Sequence, residues 1–321
     1  VAAPAPNAIN APVGATGAKG ERAPIRPTAR TTELGLATEV VRRTDERGSV
    51  LVLDGARGSG KTRLVEAISA LIADRVFIAS GTSREGDPPL ALLRRVLESC
   101  ITRSNNTPLS RDDLRELVGS LSPILDLIAP GVLPDATLAR AHELPLATDA
   151  LVEGAAEIFL RLTGKVGRLT LLIDDSHWMD EVSASCLIRL AHRVGEAPIT
   201  LIVAGRREGQ SVGLRLAALR TPEVAVSTID LAPLTEEGIE RVVCSYLSTA
   251  SLDRSVVRRI AAMADGTPLG ALEVLGAVLD AGVLRPQAGS WQFDSARAAV
   301  VELPTGVRAL LARCLTALPQ A

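Results

Sequence analysis

The apolar positions of this 321-residue chain change their spacing repeatedly. From Glu33 the spacing predicts a helix over 32–45, a strand over 49–54, a helix over 60–73 and a strand over 76–80. Helical spacing then dominates from about 89 to 164. It is followed by a strand over 168–174, a helix over 181–194 and strands over 199–204 and 225–231. Short, mostly apolar runs such as LTLLI are what a strand buried on both faces requires. Strands separated by helices predict an α/β fold with a parallel sheet covered on both sides. Residues 235–281 read as helical, GVLRPQAGSWQFD as a small hairpin, and Thr305 to Leu318 as one further helix. Residues 1–28, rich in Ala, Pro and Gly, have no apolar period and are expected to be a flexible linker.

The expected organisation is therefore a linker (1–28), an α/β core (29–231), a helical lid (232–281) and the start of a winged-helix domain (282–321). No internal repeat is visible. The chain starts at Val1, and its last helical pattern leaves Val307, Leu310, Leu311, Leu315 and Leu318 without an apolar counterpart. It is expected to be a fragment of a longer protein.

GARGSGKT, residues 55–62, falls between the strand 49–54 and the helix that follows. Glycines are needed in such a loop because backbone N–H groups must turn inward around phosphate oxygens, which side chains would obstruct. The following helix aims its positive end at the anion. Gly55, Ala56, Arg57, Gly58, Ser59, Gly60, Lys61, Thr62 and Arg63 are the candidate nucleotide-binding residues. Lys61 would neutralise the outer phosphates and the Thr62 hydroxyl would ligate Mg²⁺, giving a P-loop NTPase core.

Hydrolysis needs an acid at the end of a neighbouring strand, and LTLLIDDSHWMD (169–180) supplies two. Asp174 would hold Mg²⁺ through its water shell and Asp175 would polarise the attacking water. Asp175 is shorter than the glutamate many such ATPases use. ITLIVAGRRE (199–208) is another apolar strand ending in charge, where a guanidinium can reach a γ-phosphate. Spacing does not separate Arg206 from Arg207. His177 and Trp178 read either as residues packed under a loop or as relays of nucleotide state, and Asp180 as a candidate N-cap.

Composition narrows the function classes. The net charge of −2 provides no general basic field for nucleic acid, and 47% hydrophobic residues suffice for packed cores. No apolar run reaches the roughly 18 residues of a membrane span, and the first residues lack a signal-peptide pattern, so a cytoplasmic location is expected. Cys100, Cys186, Cys244 and Cys314 are widely separated, with no zinc-ligand spacing. No lysine lies in an NKxD segment, which favours adenine over guanine. Only three lysines occur, Lys19, Lys61 and Lys165, and one of them occupies the loop's catalytic position.

Taken in order, these stretches resemble the signal-transduction ATPases with numerous domains, the STAND branch of AAA+ proteins. The resemblance is to the ATPase module of large ATP-binding LuxR-type regulators related to the maltose-regulon activator. It spans about residues 29–319. ARTTEL (29–34) resembles the family's opening GRxxEL, and SREGDPPLALLRRVLE (83–98) its Pro-containing segment before an amphipathic helix. LLIDDSHWMDEVS (171–183) is similar to its DDxHWxD motif, and LAPLTEEGIERVV (231–243) to its LxPL step into the lid. DGTPLGALEVLGAVLDAG (265–282) resembles the GNPL lid helix, and ELPTGVRALLARCLTALP (302–319) the winged-helix start.

The resemblance implies ATP or ADP with Mg²⁺ as ligands, Lys61, Asp174, Asp175 and Arg207 as catalytic residues, and Pro268 against the adenine. Ala29, Gly205 and Thr267 depart from the pattern, where glycine, threonine and asparagine are usual. The expected function is a slowly hydrolysing ATP switch regulating a larger protein, a transcriptional regulator. It would self-associate with ATP bound and have sensor and DNA-binding domains downstream, this segment itself contacting neither nucleic acid nor membrane. The alternatives are a non-hydrolysing nucleotide-binding scaffold and an origin-recognition-like DNA-binding ATPase.

Overall fold

The structure, a computed structural model, describes residues 29–43, 47–102, 109–133, 148–206, 211–219, 224–287 and 290–294. The predicted linker, the terminal helix over 305–318, Arg207 and Cys314 lie outside these residues. By internal contacts the chain divides into two compact units. The larger holds Thr32–Ala56 and Lys61–Leu231; the smaller holds residues up to Thr31, the segment Arg57–Gly60, and residues from Ala232 onward.

In the larger unit five strands, β1 (Ser49–Gly55), β2 (Phe77–Thr82), β3 (Leu169–Asp174), β4 (Ile199–Gly205) and β5 (Ala225–Leu231), form one sheet in the order β2-β3-β4-β1-β5. Every pairing is parallel, as the alternation of strands and helices predicts. The predicted strand boundaries hold to within two residues. The central strands β1, β3 and β4 are buried almost throughout, whereas β5 at one edge exposes several positions.

Side chains alternate between the two faces as the pleat demands. Val50 and Val52 of β1, Leu171 and Ile173 of β3, and Leu201 and Val203 of β4 share one core. Helices α3 (Ala91–Thr102), α4 (Arg111–Val118), α5 (Ser122–Ile128), α6 (Thr148–Val166), α7 (Glu181–Arg193) and α8 (Val212–Ala217) contribute to it. Leu51, Leu53, Leu172, Ile202 and Ala204 face the other core with α1 (Thr31–Arg43) and α2 (Lys61–Ile72). Leu64 and Ile68 of α2 are fully buried there, each worth roughly 1.5–3 kcal/mol of apolar burial. They fix the helix whose first residue is Lys61.

The smaller unit contains α9 (Glu236–Leu247), α10 (Arg254–Met263) and α11 (Pro268–Asp280), followed by the antiparallel hairpin of β6 (Leu284–Gln287) and β7 (Ser290–Phe293). Its core includes Ile239, Val243, Ile260, Val274 and Leu275. Each helix begins at a side-chain cap: Thr235 accepts from Gly238 N–H, Asp253 from Ser255 N–H and Thr267 from Gly270 N–H. Pro268 at the first position of α11 starts the helix without losing a needed donor. Among the described residues no single helix is long and apolar enough to cross a membrane.

Candidate functional site

Register brings the chemistry of the larger unit to one end of its sheet. Asp54 at the end of β1 pairs with Gly205 at the end of β4, and Thr82 with Asp174 at the end of β3. The carboxyl ends of parallel strands are where open α/β sheets take ligands. Asp54 and Asp174 behave alike: each accepts, through Oδ1, the N–H of the next residue, at 2.7 and 2.8 Å. Each acid thereby shapes the turn that leaves its strand.

Lys61 is only 7% exposed. Its ammonium donates to the carbonyls of Gly55 (2.8 Å) and Ala56 (2.9 Å), back across the loop. Burial is the main reason its pKa lies below the ordinary lysine value, with the positive charge of Arg206 second. Asp174, Asp175 and Asp54 pull it back up. The balance describes a buried cation whose desolvation its three acidic neighbours do not fully offset, which a phosphate would relieve.

Burial, above all, raises the Asp174 carboxyl above its ordinary value, and the neighbouring Asp175 adds to this. The nearby Thr62 hydroxyl, the Asp175 N–H and Lys61 act in the opposite sense. One hydroxyl and one carboxylate fit a hard cation that keeps most of its ligands as water or phosphate. Among the described residues no group of three or more His, Cys, Asp or Glu could hold a metal. The donor set thus suits Mg²⁺ and not zinc.

Asp175 sits in the left-handed region (φ 50°), with its side chain 42% exposed, 4.0 Å from Nδ1 of the buried His177. Trp178 stacks obliquely on His177 with ring centroids 4.9 Å apart, yet is itself 39% exposed. Only the histidine follows the packed reading. Asp180 is the N-cap of α7, its Oδ1 accepting from Ser183 N–H at 2.9 Å. Its second oxygen accepts from Leu90 N–H (3.2 Å), and Ser83 N–H reaches the Asp174 carbonyl (3.1 Å). The Pro-containing segment is thus pinned to the chain that follows β3. Arg95 forks across Asp87, Nη2 to Oδ1 at 2.6 Å, and also donates to the Thr82 carbonyl.

Gly205 has a steric reason. A Cβ there would collide with the Ser176 hydroxyl, which would have to turn aside, while the nearest backbone atom, His177 N, would stand at 3.5 Å. Arg206 follows directly, and its charge acts on Lys61.

The loop's middle residues belong to the smaller unit. Gly58 and Gly60 take positive φ (75° and 98°), the freedom the motif requires of glycine. The Gly58 carbonyl accepts Leu269 N–H at 3.3 Å, and the Cγ of Pro268 lies 3.6 Å from where a Cβ on Gly60 would be. Ser59 is buried, while Ala56, Arg57, Thr62 and Arg63 are exposed. Arg30, inside the ARTTEL stretch, is buried and donates to the carbonyls of Ser59 and Ala232. Arg30 is the arginine of the stretch that resembles GRxxEL, yet the sequence pattern assigned it no role, because spacing does not distinguish an arginine beside an apolar helix from a surface cation.

No curated protein matches the chain in sequence. Among solved structures it is similar to Cdc6p of Pyrobaculum aerophilum (TM-score 0.49, 16% identity, covering 80% of this chain and 62% of that one). The ORC2 protein of Aeropyrum pernix, in an ADP form, gives a TM-score of 0.45 at 12% identity, over 92% of this chain and 69% of that one. Domain III of the replication initiation protein DnaA of Thermotoga maritima gives 0.39 at 13% identity, over 78% and 83%. The AAA ATPase domain family matches residues 26–203, more than half of the chain and including the phosphate loop, both acids and the sheet's central strands. The chain belongs to the AAA ATPase domain family.

Proposed function

We propose that this chain is the ATPase switch module of a STAND-type regulator, binding ATP or ADP with Mg²⁺ in the cytoplasm and regulating a larger, multidomain transcriptional regulator. The observation that carries the nucleotide reading is the buried Lys61, whose ammonium is held across the loop by the Gly55 and Ala56 carbonyls at 2.8 and 2.9 Å. It places a dry cation where the loop would receive phosphate oxygens, on the helix that also carries Thr62. In this reading residues 29–231 are the ATPase core, 232–281 the lid and 282–321 the start of a winged helix.

Lys61 exchanges the Gly55 and Ala56 carbonyls for phosphate oxygens, and the backbone of residues 57–60 supplies donors around them. Arg206, or Arg207 as the resemblance implies, would stand near the outer phosphate, and Pro268 beside the base. Thr62 and Asp174 would hold Mg²⁺, which would supply charge neutralisation. Asp175 accepts a proton from water; its short, half-exposed side chain suits slow turnover. A slow hydrolysis step would give a timer, and different affinities of ATP and ADP for two states would give the switch.

The test is isothermal titration with ATP and ADP in Mg²⁺, after removal of co-purified nucleotide, beside Lys61→Ala. Lys61→Ala is expected to weaken ATP binding by at least about 100-fold. Wild-type protein that takes up neither nucleotide would overturn the proposal. ATP-dependent self-association of the full-length protein, absent with ADP, would carry the switch.

A further inference from the structure

The smaller unit contains a buried cation that the phosphate and metal chemistry above leaves unused. Arg30 is 5% exposed and lies immediately before α1. Its Nη2 donates to the Ser59 carbonyl at 3.3 Å and to the Ala232 carbonyl at 2.7 Å, 29 and 202 positions away along the chain. Ser59 lies at the top of the phosphate loop, and Ala232 is the first residue after β5. One planar, permanently charged group satisfying two carbonyls fixes their separation, because neither can shift without breaking a charge-assisted bond.

Neighbouring contacts act in the same direction. Leu269 N–H, in the first turn of α11, holds the Gly58 carbonyl, and a Cβ on Gly58 would lie only 2.7 Å from the Leu269 Cβ. One turn later along α11, Glu273 has a buried oxygen, Oε2, with no hydrogen-bond partner, and feels the charge of Arg57. The Leu234 N–H, two residues past Ala232, is taken by the Gly266 carbonyl at the foot of α11.

We propose that Arg30 is a positioning residue that makes the top of the phosphate loop and the chain leaving β5 move as one body. Phosphate settling against residues 57–60 is thereby felt at Ala232. This coupling deepens the nucleotide reading above and rests on it for its purpose, but the mechanical tie exists without ligand.

The test is amide hydrogen exchange on the whole chain, first without nucleotide. In Arg30→Met, exchange is expected to accelerate about tenfold at residues 57–60 and at 232–234 together, while β3 and β4 keep wild-type protection. Arg30→Lys, which keeps the charge on a shorter stem, is expected to give a smaller acceleration at the same two segments. With ATP and Mg²⁺ added, wild-type protein gains protection at both segments and Arg30→Met only at 57–60. Acceleration at one segment alone, equal exchange in Arg30→Met and wild type, or uniform acceleration that includes β3 and β4 would overturn the proposal. Should Arg30→Met not fold, a wild-type pattern in Arg30→Lys would do so. Failure of wild-type protein to bind ATP, with the ligand-free coupling intact, would count against the nucleotide reading and leave the tie standing.

Discussion

The two parts of the phosphate loop are held in different ways. At its base, Lys61 binds the carbonyls of Gly55 and Ala56, six and five residues back, and Asp54 binds the amide of Gly55 beside it. At its crown, the carbonyls of Gly58 and Ser59 are held by Leu269 and Arg30, which lie far away in sequence. The base is therefore a local structure, set by the motif and by the strand and helix on either side. The crown depends on segments that meet only after the chain has folded. By its contacts the crown belongs to the smaller unit and the base to the larger.

The comparison can be broken at the base by crowding the strand that supports it. Gly205→Thr, which restores the residue usual in the resembling family, drives a side chain into Ser176. It is expected to cost about 2 to 3 kcal/mol of stability, measured by denaturant titration. Adding Ser176→Ala should recover much of the loss, and the double-mutant cycle measures how strongly the two positions interact. If Gly205→Thr is as stable as wild type, the close approach of the two strand ends is not what demands glycine.

The crown is tested by Gly58→Ala. Residue 58 has φ 75°, and the new Cβ would press on Leu269. The expected cost is about 1 to 2 kcal/mol of strain, read as faster exchange of the Leu269 amide with β1 and β4 unchanged. Equal loosening of the base would erase the distinction between the two parts.

The smallest effect has the opposite sign. Asp174 has its carboxyl raised above the ordinary 3.8, chiefly by burial. In the ligand-free protein its cost is absent below pH 3.8 and grows as pH rises through the raised value, because the folded state holds its proton more tightly than the unfolded state does. Asp174→Asn is therefore expected to stabilise the ligand-free protein at neutral pH by about 1 kcal/mol, and to lose Mg²⁺-dependent ATP affinity. A melting series from pH 4 to 7, marked by a growing advantage for the variant, checks the sign; a constant or shrinking advantage contradicts it.

Much of the larger unit was legible in the chain because its signals are local. The runs at 49–54, 169–174 and 199–204 are apolar because parallel strands are covered on both faces, and the helices between them carry their own spacing. The acids at 174 and 175 stand out because charge after such a run marks a strand end. Spacing did not order the strands, so it could not show that β4 lies between β1 and β3, with Arg206 following Gly205 beside the loop base. Spacing left Arg206 and Arg207 unseparated and the resemblance pointed to Arg207; the charge of Arg206 acts on Lys61, while Arg207 is outside the described residues. Of the two readings left open for Trp178, packing under a loop does not hold, because the short turn after Asp175 leaves the ring half-exposed.

The amino-acid sequence alone determined the phosphate loop, the acids at the end of β3, the two-sided parallel sheet and the caps that start the helices. These depend on residues a few positions apart, where backbone geometry and apolar period leave few choices. Tertiary structure alone decided that Arg206 acts on Lys61, that Gly205 makes room for Ser176, that Asp180 holds Leu90, and that Arg30 spans Ser59 and Ala232. Each of these joins residues distant in the chain, so its energy is gained only once the sheet order and the packing of the helices have set the distance between them.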